Sequence, residues 1–262
     1  METQYHRPAS VAEAAKLLAG EARLLAGGQS LVAAIKLGLA SPSSLVDLRG
    51  IAGLDGIRVD AQRVSVGAMA THASVAASKE VARAIPALAQ LAAGIGDRQV
   101  RACGTIGGSL ANNDPAACYP AAVLGLGASV QTDQRQIAAD DFFLGMFETA
   151  LRPSEIITAV HFPIPERAAY EKFHQPASRF SLVGVMVAKT GGGVRVAVTG
   201  AGSCVFRCKA LEVALTRKFA PESCDGVPVD ASGLNDDLHG SAAYRAHLIP
   251  VLAKRAVARA LG

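Results

Sequence analysis

Tryptophan is absent from the 262 residues, and aromatic side chains make up only 5% of them. A platform on which successive nucleic-acid bases stack is therefore missing. Runs of Lys and Arg are missing too, and the formal net charge is only +4, so no charged face marks a nucleic-acid partner. No apolar stretch approaches the roughly 18 uninterrupted residues of a membrane-spanning helix. The opening segment, M-E-T-Q-Y-H-R-P, is polar and lacks the apolar region of a signal peptide. These absences predict a cytoplasmic protein with no membrane span, and leave open export alongside a partner that carries its own signal.

Cysteine is sparse and odd in number: Cys103, Cys118, Cys204, Cys208 and Cys224. That usage predicts reduced thiols rather than a disulfide framework. No C-x-x-C occurs, and Cys204 with Cys208 cannot complete a four-ligand set, so no metal or iron–sulfur site is expected on this chain. The motifs G-x-G-x-x-G, G-x-x-x-x-G-K-[ST] and G-x-S-x-G are all missing, which argues against a dinucleotide fingerprint, a P-loop and a hydrolase elbow. None of the six histidines sits in a nucleophile motif. His72, in M-A-T-H-A-S, reads as a packing or cap-region histidine. No catalytic residue is assigned.

What the chain has is an apolar half, at 50%, and abundant glycine. That composition builds a core. Two glycine pairs stand out, about 80 residues apart. In A-R-L-L-A-G-G-Q-S-L, Arg23 to Ala26 is a short strand, Gly27-Gly28 breaks it, and Ser30 caps a helix carrying Leu31, Ala34, Ile35 and Leu39. In C-G-T-I-G-G-S-L-A-N-N-D-P-A-A-C-Y-P, a strand end at Gly104-Thr105-Ile106 runs into Gly107-Gly108. Pro115 then opens a helix, Ala116 to Leu126. Glycine pairs permit positive φ and close backbone approach, so exposed amides at both loops suit a phosphate. An ordinary tight turn fits either loop taken alone. Together they suggest one long diphosphate ligand held from two sides.

Further helices are predicted at Ser10 to Leu18, Thr71 to Ala77, Ala82 to Ala93, Ala210 to Thr216 and Ser241 to Leu261. Strands are predicted at Leu45 to Leu48, Gly56 to Val59, Arg63 to Met69, Ala128 to Thr132 and Glu155 to Phe162. After Pro165 the pattern becomes a strand meander with a hairpin at Gly191-Gly192-Gly193. The irregular alternation predicts an α+β fold.

The pair A-G-G-Q-S-L and R-x-x-G-T-I-G-G-S-L-A-N-N-D-P-A-A-x-Y-P, in this order, resembles the FAD-binding (medium) subunit of the molybdenum hydroxylase family. That family includes aerobic carbon monoxide dehydrogenase and bacterial xanthine dehydrogenase. The resemblance runs from Tyr5-His6-Arg7-Pro8 to the C-terminal helix. It implies a two-lobed, PCMH-type FAD-binding domain at 1–166, with lobes at about 1–55 and 56–166. A smaller α+β domain at 167–262, with an antiparallel sheet and helices, would follow.

It also implies bound FAD. Leu25, Ala26, Gly27, Gly28, Gln29, Ser30 and Leu31 would cradle the diphosphate from one side. Thr105, Gly107, Gly108 and Ser109 would hold the other, with Asn112 and Asp114 facing the cofactor. Ile95 and Ile157 match apolar positions against the adenine or flavin, and Lys172, in Y-E-K-F, matches a lysine near the flavin ring. Cys118 stands where relatives usually carry Asp, and a thiol is a poor acceptor for ribityl hydroxyls. Gln29 replaces a frequent His, which removes the usual covalent attachment point and implies non-covalent binding. By the same resemblance the chain is an oxidoreductase subunit active only in a complex. A large subunit would carry molybdopterin and a small one two [2Fe–2S] clusters, in a dimer of heterotrimers. FAD would take electrons from the clusters and pass them to NAD⁺, a quinone, oxygen or another acceptor. Two alternatives remain at this stage. One is a stand-alone FAD oxidoreductase of the same fold, such as a UDP-N-acetylenolpyruvoylglucosamine reductase. The other is a scaffold subunit that has lost its cofactor.

Overall fold

A computed structural model describes residues 3–262. The first lobe is a three-stranded parallel sheet in the order Gln4–His6, Ser44–Asp47, Arg23–Leu25. Parallel neighbours need crossovers, and the helices Val11–Lys16 and Leu31–Lys36 supply them. The first of these starts where Ser10 Oγ accepts from the Glu13 amide, while Glu13 Oε2 accepts from the Ala9 amide. That is a capping-box arrangement in which the returning carboxylate takes the amide just before the N-cap rather than that of the N-cap itself. The lobe's small core, around Ala14, Val46, Leu48 and Ile51, closes only with Met69 and Ile156 from the second lobe.

A five-stranded antiparallel sheet organises the second lobe, in the order Ile57–Val59, Arg63–Gly67, Ile157–Pro163, Ser129–Thr132, Gln136–Ala138. Alternation along Arg63–Gly67 buries Val64 and Val66 and exposes Arg63, the period-2 pattern of a sheet with one covered face. The covering helices include Pro86–Ala93, Ile106–Asn112 and the wholly buried Tyr119–Gly125.

In the C-terminal part, four antiparallel strands follow in the order Arg167–His174, Ser181–Thr190, Gly193–Thr199, Phe206–Arg207. Ser181–Thr190 is buried along nearly its whole length. One face, with Met186 and Ala188, joins the core of the second lobe. The other, with Val183, Val185 and Val187, packs with Ile249 and Leu252 of the long helix Ala242–Leu261. Burial on both faces explains the uninterrupted apolar run of this strand.

The α+β class is as expected, but several elements differ from the sequence reading. Helix Ala82 to Ala93 is two helices, Lys79–Ala84 and Pro86–Ala93. Pro86 has no amide to continue the ladder and pushes Ile85 out of helical geometry (φ −139°, ψ 78°). The helix expected from Ala116 begins at Tyr119, because Asp114 first forms a turn. Its carbonyl accepts from the Ala117 amide (2.9 Å) and its Oδ1 from the Ala116 amide (2.8 Å). Ser30 precedes its helix without capping it: its backbone is already helical and its hydroxyl accepts no amide. That helix stops at Lys36, leaving Leu39 exposed beyond Gly38, which is left-handed. Among the described residues no helix is long and apolar enough to cross a membrane.

Candidate functional site

The two lobes and the loop 175–180 enclose a cleft of about 1030 Å³. Both glycine pairs reach it, and the segments that carry them touch. A Cβ on Gly27 would stand 2.7 Å from the carbonyl carbon of Cys103 and 2.9 Å from Gly104 Cα. Across the gap, a Cβ on Gly108 would meet Ala26 Cβ at 3.6 Å. Close approach of two backbones requires glycine at position 27, and Gly28, at φ +72°, requires it for its left-handed turn.

The first loop leaves its amides open. Among the described residues the consecutive backbone N–H groups of Gly27, Gly28, Gln29, Ser30 and Leu31 have no acceptor in the protein. Such a run of donors forms an anion-binding concavity.

The central loop is built differently, and here the expectation of free amides fails. Gly107 and Gly108 lie in the first turn of the helix Ile106–Asn112 rather than in a turn after a strand. Neither has positive φ. The Ile106 amide donates to Ala70 O (3.1 Å), Gly107 to Ala68 O (2.8 Å) and Gly108 to Thr105 Oγ1 (3.1 Å). Gly107 is glycine because a Cβ would stand 2.7 Å from the Ala68 carbonyl oxygen. Thr105 caps the helix, and Asn113 ends it in the left-handed conformation (φ 42°). What this loop offers the cleft is the Ser109 hydroxyl and the Asn112 amide, neither of which has a side-chain partner among the described residues.

Other expected positions gather on the same cleft. Ile95 and Ile157 form apolar wall, with Ile157 next to an irregularity in strand pairing that ends at Ala159. Asp114 faces in while its Oδ1 is held by the Ala116 amide. Cys118 is 5% exposed, with Sγ 3.4 Å from Ser181 Oγ and 3.5 Å from Lys172 Nζ. Lys172 is half-buried and held in place. Its ammonium donates to Gly94 O (2.7 Å) and Arg179 O (2.9 Å), tying the end of one helix to the loop 175–180. Leu25 is the exception: it is buried behind the first loop and forms no part of the cleft wall.

Several wall residues were not expected there, among them His72, Phe147, Arg152, Arg179 and Phe180. Phe147 carries one signal, the irregular aromatic stretch D-D-F-F-L-G-M-F-E-T, and it holds positive φ (56°). The others reach the cleft by tertiary folding and carry no local motif.

The electrostatics favour an anion. Arg23, Arg152, Lys172 and Arg179 line the cleft, against the carboxylates of Asp114 and Glu155. Glu155 is neutralised from behind by Arg135 (2.9 Å) and accepts from Thr132 Oγ1 and the Arg152 amide. The Arg135 hydrogen bond holds its carboxyl at about 2. Burial, with the Arg101 charge adding to it, lowers the His72 imidazole to about 4. That ring is therefore neutral near pH 7.

Residues 1–165 match the family described as "FAD binding domain in molybdopterin dehydrogenase". The chain is 36% identical over 283 residues to the carbon monoxide dehydrogenase medium chain of Afipia carboxidovorans, covering 98% of this chain and 96% of that protein. It is 34% identical over 273 residues to the nicotine 6-hydroxylase medium subunit of Paenarthrobacter nicotinovorans, with coverage of 98% and 96%. The fold superposes on a chain of the crystal structure of the cyanide-inactivated Cu,Mo-CO dehydrogenase with a TM-score of 0.90. That match is 32% identical and covers 99% of this chain and 98% of the other.

Proposed function

The chain belongs to the FAD-binding medium subunits of the molybdenum hydroxylases, and from that premise we propose that it relays electrons inside a three-subunit oxidoreductase. They would arrive from the [2Fe–2S] clusters of a small partner subunit and leave to NAD⁺, a quinone, oxygen or another acceptor. A large partner subunit would hold molybdopterin and choose the substrate, and the whole would be a dimer of heterotrimers. FAD supplies the redox-active ring of this relay when bound.

The observation that carries the reading is the run of open amides from Gly27 to Leu31, set across a basic cleft from the central helix. These donors suit the two phosphates, with Thr105, Ser109 and Asn112 opposite. Gly107 and Gly108 serve by letting backbone approach closely rather than by donating. Ile95 and Ile157, as apolar wall, would keep water off the rings of bound FAD. Lys172 closes the cleft by its two carbonyl contacts, so its ammonium acts first as a clasp and only then as a cation beside the flavin. Gln29 offers no attachment point for a covalent link, which supports reversible binding.

The same reading divides the chain into an FAD domain, 1–166, in two lobes, and a C-terminal domain, 167–262. The limit of the family match at residue 165 supports this. Five free thiols suit a reducing cytoplasm. Acid precipitation of the purified protein tests the central point: a yellow supernatant and a colourless pellet are expected. Colourless native protein would overturn FAD binding, and a yellow pellet would overturn its non-covalent character. Co-expression with the neighbouring genes should give a complex containing molybdenum and iron. Full substrate turnover by the isolated chain would defeat the relay role.

A further inference from the structure

Among the described residues that line the cleft, His72 is the one with a sealed side-chain nitrogen that has no hydrogen-bond partner. It follows Thr71, whose Oγ1 caps its helix by accepting from the Ser74 amide. Its own amide donates to Gly104 O (2.9 Å), one residue before Thr105. The ring is 5% exposed and packs beside Tyr119, with centroids 5.3 Å apart. Nδ1 is sealed in that interior with no hydrogen-bond partner among the described residues.

Nε2 points the other way. It lies against Gly104, where a Cβ would stand 2.6 Å away, both residues line the cleft, and Nε2, unlike Nδ1, is not among the sealed, unpartnered atoms of the described residues. Position 104 must therefore be glycine for the ring to reach that wall. A neutral imidazole carries one N–H. Placed on Nδ1, that proton would be a buried donor without an acceptor, the arrangement that folded proteins most avoid. Placed on Nε2, it faces the ligand space. Burial opposes a second proton, and the charge of Arg101, whose guanidinium is held by Ile95 O and Gly96 O, adds to it.

We propose that His72 is a further cofactor-binding residue, donating from Nε2–H to an oxygen of bound FAD, an inference that rests on the cofactor reading above. The imidazole is positioned before the ligand arrives, because its neighbours fix both its rotation and its tautomer. No sequence motif marks it.

The test uses the full chain stripped of FAD. The dissociation constants of FAD, ADP and FMN are measured by fluorescence for wild type, His72→Leu and His72→Gln, with melting temperatures of the apo proteins. His72→Leu should weaken FAD on the order of tenfold, the worth of one buried hydrogen bond. His72→Gln, which keeps a donor, should recover most of that loss. The half-ligand that weakens in parallel, ADP or FMN, identifies the oxygen. Nitrogen-15 NMR of labelled histidine in wild type adds a readout independent of variant folding. The Nε2–H tautomer is expected, and its resonance should move on FAD addition. Unchanged FAD affinity in a folded His72→Leu, or an Nδ1–H tautomer, would overturn the inference and leave the cofactor reading intact. Failure of wild type to bind FAD would overturn both.

Discussion

Gly27-Gly28 and Gly107-Gly108 are the same dipeptide on facing walls of one cleft, and they do different work. The first interrupts the chain after a strand, takes a left-handed turn at Gly28 and leaves five consecutive amides open. The second is the first turn of a capped helix whose leading amides are already used by Ala70 O, Ala68 O and Thr105 Oγ1. One pair exposes donors, whereas the other removes side-chain bulk. Glycine meets both needs, because it has no Cβ to restrict φ or to occupy space. A glycine pair by itself therefore does not tell which need is being met.

Substitutions separate the two roles. Gly27→Ala should have the largest effect, on the order of 3 kcal/mol of stability, since its Cβ would press on the backbone of Cys103 and Gly104 and neither can step aside. A drop in denaturation midpoint much smaller than that would mean the loops are not in firm contact. Gly28→Ala should cost about 1–2 kcal/mol through left-handed strain, with added pressure on Val32. A melt that matched wild type would remove the turn from the account.

Gly108→Val should leave stability within about 1 kcal/mol, because the gain in helix propensity over glycine is set against the pressure of its Cβ on the capping Thr105 Oγ1, 3.0 Å away. It should nonetheless weaken FAD about tenfold or more, because its branches enter the gap toward Ala26. Full flavin stoichiometry at low FAD would show that the central helix does not crowd the ligand. The smallest effect lies in the caps. Thr105→Ala should cost about 1 kcal/mol, because Oγ1 holds the Gly108 amide. Ser30→Ala should cost under ~0.5 kcal/mol, because Ser30 caps nothing. Equal losses in urea titrations of the two variants would erase the contrast.

Much of the site is legible from sequence through these two motifs. Gly27 to Leu31 and Thr105 to Ser109 announce themselves by glycine spacing, and their common order resembles one family. Lys172 was legible as a position but not as a clasp, because its acceptors, Gly94 O and Arg179 O, are backbone atoms that any sequence carries. Cys118 was legible as a departure from the family. Its neighbours Ser181 and Lys172 come from two strands far along the chain. His72 reads from the sequence as a packing residue, and its buried half fits that. Its open Nε2 depends on Gly104, and only the pairing of Thr71 with Thr105 brings the two segments together.

Sequence alone sufficed for the α+β class, the first glycine turn and the family, because periodicity and fixed-spacing glycines are local signals written within a few residues, whereas the second glycine pair turned out to start a helix. Which amides stay open, which are consumed, and which side chains turn inward was decided by the tertiary structure. Hydrogen-bond acceptors such as Ala68 O and Ala70 O carry no residue identity. Whether a donor is left for a ligand depends on which carbonyl the fold brings within about 3 Å of it, and no local pattern encodes that distance.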